Sequence, residues 1–158
     1  MPKWLLAVLA SAVVIVLVIA LAGPFGPVPG MRIGGTPTPP PANWSSVDLP
    51  EEVLLKTTGG VLPRVVTIWI VDHNDALYVF GATDSGWVKN TQADPNIELR
   101  IGDQTYALIA EALPTPDITV YQKYIDRYAA NYPDIIAGMP KTSELEGAGV
   151  IFRISRGA

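Results

Sequence analysis

The chain has 158 residues, with 11 basic and 15 acidic side chains and a formal net charge of −4. It contains no cysteine, which excludes disulfides, thiolate chemistry and Cys-ligated metals, and its single histidine leaves a zinc site without ligands. The acidic balance gives no general affinity for nucleic acid.

Trp4–Ala22 carries no charge, and at 1.5 Å per residue it approaches the hydrocarbon thickness of a bilayer. Lys3 and the terminal amine lie on one side and Arg32 is the first charge on the other. The positive-inside bias therefore predicts a single-pass transmembrane anchor over 1–22, cytoplasmic amino terminus and external domain. The competing reading is a secretory signal, with Ala20-Leu21-Ala22 as a small-x-small cleavage pattern. The apolar run exceeds the roughly 7–15 residues of a signal core, which favours the retained anchor. Residues 23–50 read as a linker: the Pro cluster at 38–41 favours extended geometry, and Gly23, Gly26, Gly30, Gly34 and Gly35 add flexibility. Asn43-Trp44-Ser45 fits a glycosylation sequon, while Trp44 is expected to pack onto the edge of the domain.

Residues 51–158 are long enough for one core. They carry nine basic against fourteen acidic residues, a net of −5. Val53–Thr57 predicts a first strand, closed by the turn Thr58-Gly59-Gly60. Pro63 precedes a second strand, Arg64–Val71, whose two faces are both mostly apolar and which is therefore expected to be covered on both sides. Asp72, His73, Asn74 and Asp75 turn the chain into Ala76–Gly81, a hairpin. Ser85, Gly86, Trp87, Lys89 and Asn90 then crowd just beyond the strand. A hydroxyl, a bared backbone N–H and a lysine at such a place can hold an anion, and an indole beside them can face a flat ring. The combination points to a phosphate-bearing aromatic cofactor.

Asn96–Ile101 alternates, with Ile97, Leu99 and Ile101 inward. Gly102-Asp103-Gln104 turns it into Thr105–Leu113. Thr115 and Pro116 predict an N-cap and first helical residue for a helix running to about Asn131. Tyr121, Tyr124, Ile125 and Tyr128 form its apolar face, a core or dimer surface, and Lys123, Asp126 and Arg127 its solvated one. Val150, Phe152 and Ile154 alternate in a last strand. Six short strands and one main helix predict a small antiparallel β-barrel of α+β class.

The order LLKTTGG, PRVVTIWIV, LYVF, SGWVKN and PNIELRIG resembles the flavin-binding split β-barrels over roughly residues 50–155. These include the pyridoxamine phosphate oxidase-like proteins and the deazaflavin-dependent nitroreductase relatives. The resemblance implies a split barrel, often a homodimer, that binds FMN or a deazaflavin, and hence a flavin-dependent oxidoreductase. It implies that Arg64, Thr67, Ser85 and Lys89 bind phosphate, that Trp87 and Asn90 lie near the ring or ribityl chain, and that Thr57 and Thr58 meet the ring's polar edge. Arg offers a planar fork to phosphate and Lys a mobile point charge. The turn Gly59-Gly60-Val61-Leu62 has no charge where the deazaflavin-dependent relatives carry a basic one, which argues against a long polyanionic tail.

Each of these residues also has a plainer reading: Lys89 as a solvated lysine, Arg64 as a strand flank, Trp87 as core, Thr57 and Thr58 as turn hydroxyls, His73 as an exposed turn residue. No nucleophile elbow, P-loop or close carboxylate pair appears. Two functions follow: a membrane-anchored flavin-binding oxidoreductase-like protein, or a cofactor-free tethered barrel acting as a ligand- or protein-interaction module.

Overall fold

The computed structural model describes residues 2–21, 23–24 and 28–157. Ala22 of the cleavage pattern and Gly26 of the linker lie outside them.

The amino-terminal segment forms helix α1, Lys3–Leu21. The expected membrane anchor is corrected here: among the described residues no helix is long and apolar enough to cross a membrane. Lys3 begins the 19-residue helix, so 18 uncharged residues remain, about 27 Å of rise against roughly 30 Å of hydrocarbon. The single-pass topology, the external placement of the domain and the membrane as a partner fall with the anchor.

The sheet is built from β1 (Thr36–Pro37), β2 (Glu52–Thr57), β3 (Arg64–Trp69), β4 (Val71–His73), β5 (Ala76–Ala82), β6 (Asn96–Ile101), β7 (Gln104–Ala112) and β8 (Gly149–Arg156). Its order is β3-β2-β6-β7-β8-β5-β4, with β1 added in parallel beside β7 and the other pairs antiparallel. The two ends of that path, β3 and β4, are separated in the chain by Ile70 alone. A single bent strand thus brings the sheet round on itself as a curled half-barrel.

Eight strands replace the expected six because the bend at Ile70 splits the second strand and the linker contributes β1. The single main helix is also corrected. Gly86–Ala93 forms α2, Ile118–Tyr128 forms α3 and Pro133–Ala137 forms α4. The N-cap of α3 is Asp117, whose carboxylate accepts from the Thr119 and Val120 N–H groups, rather than Thr115.

Period-2 alternation divides the apolar residues into two packed layers. Inside the curl, Val53, Leu55, Ile68, Leu77, Val79, Ile97, Leu99, Phe152 and Ile154 form the main core, with Trp44 capping it at 2% exposure. Outside, Val71, Ala76, Tyr78 and Ile151 meet Val120, Tyr121, Tyr124 and Tyr128 of α3. The hairpin strands are therefore covered on both faces, and the tyrosine face of α3 is core.

The segment read as a flexible linker lies across the sheet. Gly30 and Val65 exchange two backbone hydrogen bonds of 3.0 and 2.8 Å. Ile33 is buried. Thr36 N–H donates to Asp103 and Thr38 N–H to Thr105, at 2.7 and 2.9 Å.

Candidate functional site

The rim is made where β3 begins beside the start of α2. Arg64 is the first residue of β3, paired with Thr57 at the end of β2. The chain leaves β5 at Ala82, turns, and enters α2 with Ser85 as N-cap. Ser85 does not cap the helix with its side chain; its hydroxyl donates back to Ala82 O at 2.8 Å. The first helical bond runs from Lys89 N–H to Ser85 O at 3.2 Å. The N–H groups of Gly86 and Trp87 precede it and have no intrahelical acceptor.

The Arg64 guanidinium packs directly onto this helix start. A Cβ placed on Gly86 would lie 2.9 Å from Arg64 Nη1 and 3.1 Å from Cζ, so the absence of a side chain admits the guanidinium. Arg64 Nε is buried without a hydrogen-bond partner. Among the described residues the other such nitrogen, Nε of Arg127, belongs to a guanidinium that donates to the Leu49 and Pro50 carbonyls, so that cation is served elsewhere. Among the described residues the ion pairs are Lys56–Glu98, Arg100–Asp103 and Lys123–Asp72, and none includes Arg64. A cation at the positive end of a helix is unfavourable unless an anion lies against both. Lys89 is exposed one turn along α2 and joins none of these pairs.

Behind the rim, α2 is docked on the threonine turn. Asn90 Nδ2 lies 3.4 Å from Thr57 Oγ1, and Thr57 is fully buried. The Asn90 amide and carbonyl sit where Cβ atoms of Gly60 and Gly59 would otherwise be, at 2.8 and 2.0 Å. Thr58 donates to Asp94 Oδ2 at 3.0 Å. The Asn96 backbone and side-chain amides, together with Thr58, hold the Asp94 carboxyl below its ordinary range. Thr57, Thr58 and Asn90 thus position α2, while Arg64, Ser85 and Gly86 face the rim. Trp87 packs inside the barrel, its ring 5.7 Å from that of Phe152. His73 stays at the hairpin tip beside Asn74.

Thr67 stands three residues along β3, about 10 Å from Arg64 at strand spacing. It lines a different feature, an open hollow of about 260 Å³ shared with Glu52, Trp69, Phe80, Tyr124, Ile135 and Met139. Sequence reasoning did not find this hollow. Its only local signal was the presence of aromatics at the outward positions of both hairpin strands.

The rim fits a phosphate-bearing group on the chemistry of its donors: a guanidinium nitrogen orphaned among the described residues lies at a helix start whose first two backbone N–H groups have no intrahelical acceptor.

Residues 43–142 match the model of the family described as F420H(2)-dependent quinone reductase. No curated protein matches the chain in sequence. Among solved structures, an F420 reductase superposes with a TM-score of 0.52 at 21% identity, covering 75% of this chain and 96% of that one. The heme storage protein HutZ of Vibrio cholerae superposes with a TM-score of 0.51 at 15% identity, covering 68% and 82%. At these identities the superpositions establish a shared fold.

Proposed function

Because the chain belongs to the F420H(2)-dependent quinone reductase family, whose fold is that of flavin- and F420-binding proteins, we propose that it is a binding domain for a flavin-type cofactor. FMN or a deazaflavin would place its phosphate at the rim. The observation that carries this reading is the Arg64 guanidinium set against the start of α2 with its buried Nε unpartnered. Arg64 would bind phosphate through its fork, with the leading N–H groups of α2 completing the cradle; Ser85 would join it by turning its hydroxyl away from Ala82 O. Lys89 would add a screened long-range attraction from its exposed position. Thr57, Thr58 and Asn90 would keep α2 in place, and Trp87 would support it from the core.

A bound ring of this class supplies hydride chemistry itself; the protein contributes position, electrostatics and exclusion of water. The family's described activity pairs the cofactor with a quinone. A quinone is a flat ring of the kind that Trp69, Phe80 and Tyr124 can flank.

The test is titration of the purified full chain with FMN and with a deazaflavin, followed by ligand fluorescence. Binding is expected, and Arg64→Ala should weaken it by roughly 10- to 100-fold, the equivalent of about 1.5–3 kcal/mol for hydrogen bonds to a charged group. Failure of both ligands to bind the folded protein would favour a second reading, a cofactor-free ligand- or protein-interaction module. Val61 and Leu62 support that reading: they stand fully and largely exposed on the turn beside the rim, at 102% and 62%, where they offer an apolar surface without charge.

A further inference from the structure

The strap of residues 30–38 reaches the same strand end that carries Arg64. β3 begins at Arg64, immediately after the turn of residues 58–63, and strand ends of this kind fray. On one side the first residues of β3 pair with β2. On the other, Val65 is held by Gly30 through two backbone bonds, 3.0 Å from Gly30 N–H to Val65 O and 2.8 Å from Val65 N–H to Gly30 O. The bridge is thus one peptide away from the guanidinium that faces α2.

The strap is itself fastened at its far end. Arg100 Nη1 donates to Ile33 O at 3.1 Å while its Nε donates to Gly102 O at 2.9 Å. Thr105 Oγ1 donates to Gly34 O at 2.7 Å. Gly34 and Gly35 have φ of +65° and +80°, a region that side chains disfavour. A Cβ on Gly35 would also lie 2.3 Å from Thr105 Oγ1. Ile33 is buried and β1 adds two residues beside β7. The strap therefore ties the start of β3 to the β6–β7 hairpin, past β2, the one strand that lies between them in the sheet.

We infer that this strap is a clasp on the anion rim: closure of Gly30 on Val65 holds Arg64 against the start of α2, so strap closure and ligand binding are coupled. The inference takes the rim to be the phosphate site and so rests on the function proposed above. By linkage, whatever favours the closed strap favours the bound ligand, and a ligand at the rim favours the closed strap by the same factor.

Two measurements on the full chain test this, one without ligand. In the free protein, the NMR signal of the Arg64 Nε–H is expected at a position distinct from solvated arginines. Gly30→Pro, which deletes the N–H donated to Val65, should move it to the solvated position. Arg100→Met, which releases Ile33 at the opposite end, should shift it in the same direction. With FMN as the probe, amide exchange at Gly30 and Val65 should slow on saturation, and both variants should bind FMN at least about fivefold more weakly, the lower end of ordinary coupling. An Arg64 signal unmoved in both folded variants would overturn the clasp, as would FMN binding that is equally tight in the variants. FMN failing to bind the wild type, with the Arg64 signal still strap-dependent, would sink the cofactor assignment and leave the clasp standing.

Discussion

Ile70 sits where the long second strand bends between β3 and β4, and its N–H and C=O are turned away from both ladders. Tyr128 satisfies them: its hydroxyl accepts from Ile70 N–H at 2.9 Å and lies 2.8 Å from Ile70 O and 2.7 Å from Glu51 O. The ring is stacked on Trp69 with centroids 4.4 Å apart and planes 9° from parallel. Tyr128→Phe keeps the ring and removes the oxygen, leaving a buried amide unpaired. A loss of about 1–3 kcal/mol is expected, read as a lower urea midpoint with the wild-type slope. No change in midpoint would mean that water serves Ile70 equally well. Helical spacing made Tyr128 legible as an inward residue, but its hydroxyl's partner lies in a strand far away in the chain. Arg64 is a similar case: its position at a strand start was evident, whereas the lack of a partner is a property of the assembled neighbourhood.

At the scale of elements, α2 carries much of the candidate site, and the sequence did not announce it as a helix. Its eight residues, GWVKNTQA, contain two adjacent buried apolar residues followed by polar ones, too short a run to display a 3.6-residue period. What makes the helix form is its docking. Gly81 at the end of β5 lies under it, where a Cβ would come within 2.2 Å of Trp87 Cζ2 and 2.5 Å of Val88 Cγ2. Gly81→Ala should therefore destabilise the fold by about 1–3 kcal/mol, the usual cost of overpacking, and weaken FMN binding because α2 must shift. Thermal unfolding and the same fluorescence titration report the two effects. A variant as stable as wild type would show that α2 gives way without strain. Asn96–Ile101, by contrast, was readable to the residue, because alternation is a local signal that burial on one face enforces; the split at Ile70 and the short β1 were not.

For the whole molecule, the layer between α3 and the sheet sets behaviour at high pH. Burial raises the hydroxyl pKa values of Tyr121, Tyr124 and Tyr128 above the ordinary 10.0, and a hydrogen bond to the Glu51 carboxylate raises that of Tyr132. A folded pKa above the unfolded one means that the neutral form is favoured by folding. The stability is present in full below 10.0 and is lost as pH rises toward the folded values. Urea midpoints should fall above that pH, and ionisation of these four tyrosines should accompany unfolding rather than precede it. Tyrosines that all ionise near 10.0 in the intact fold would refute this account of the layer. The same scale separates what the chain's letters decide from what only assembly decides. Alternation and glycine turns made most of the strands, their antiparallel class and the family resemblance legible, since each depends on neighbours within a few positions. Assembly decided that Trp87 faces the core, that a Pro/Gly-rich stretch becomes a strap on β3, and that Arg64 meets a helix start with no acceptor of its own. Those outcomes depend on which distant segments come into register, and no short-range period in the sequence carries that information.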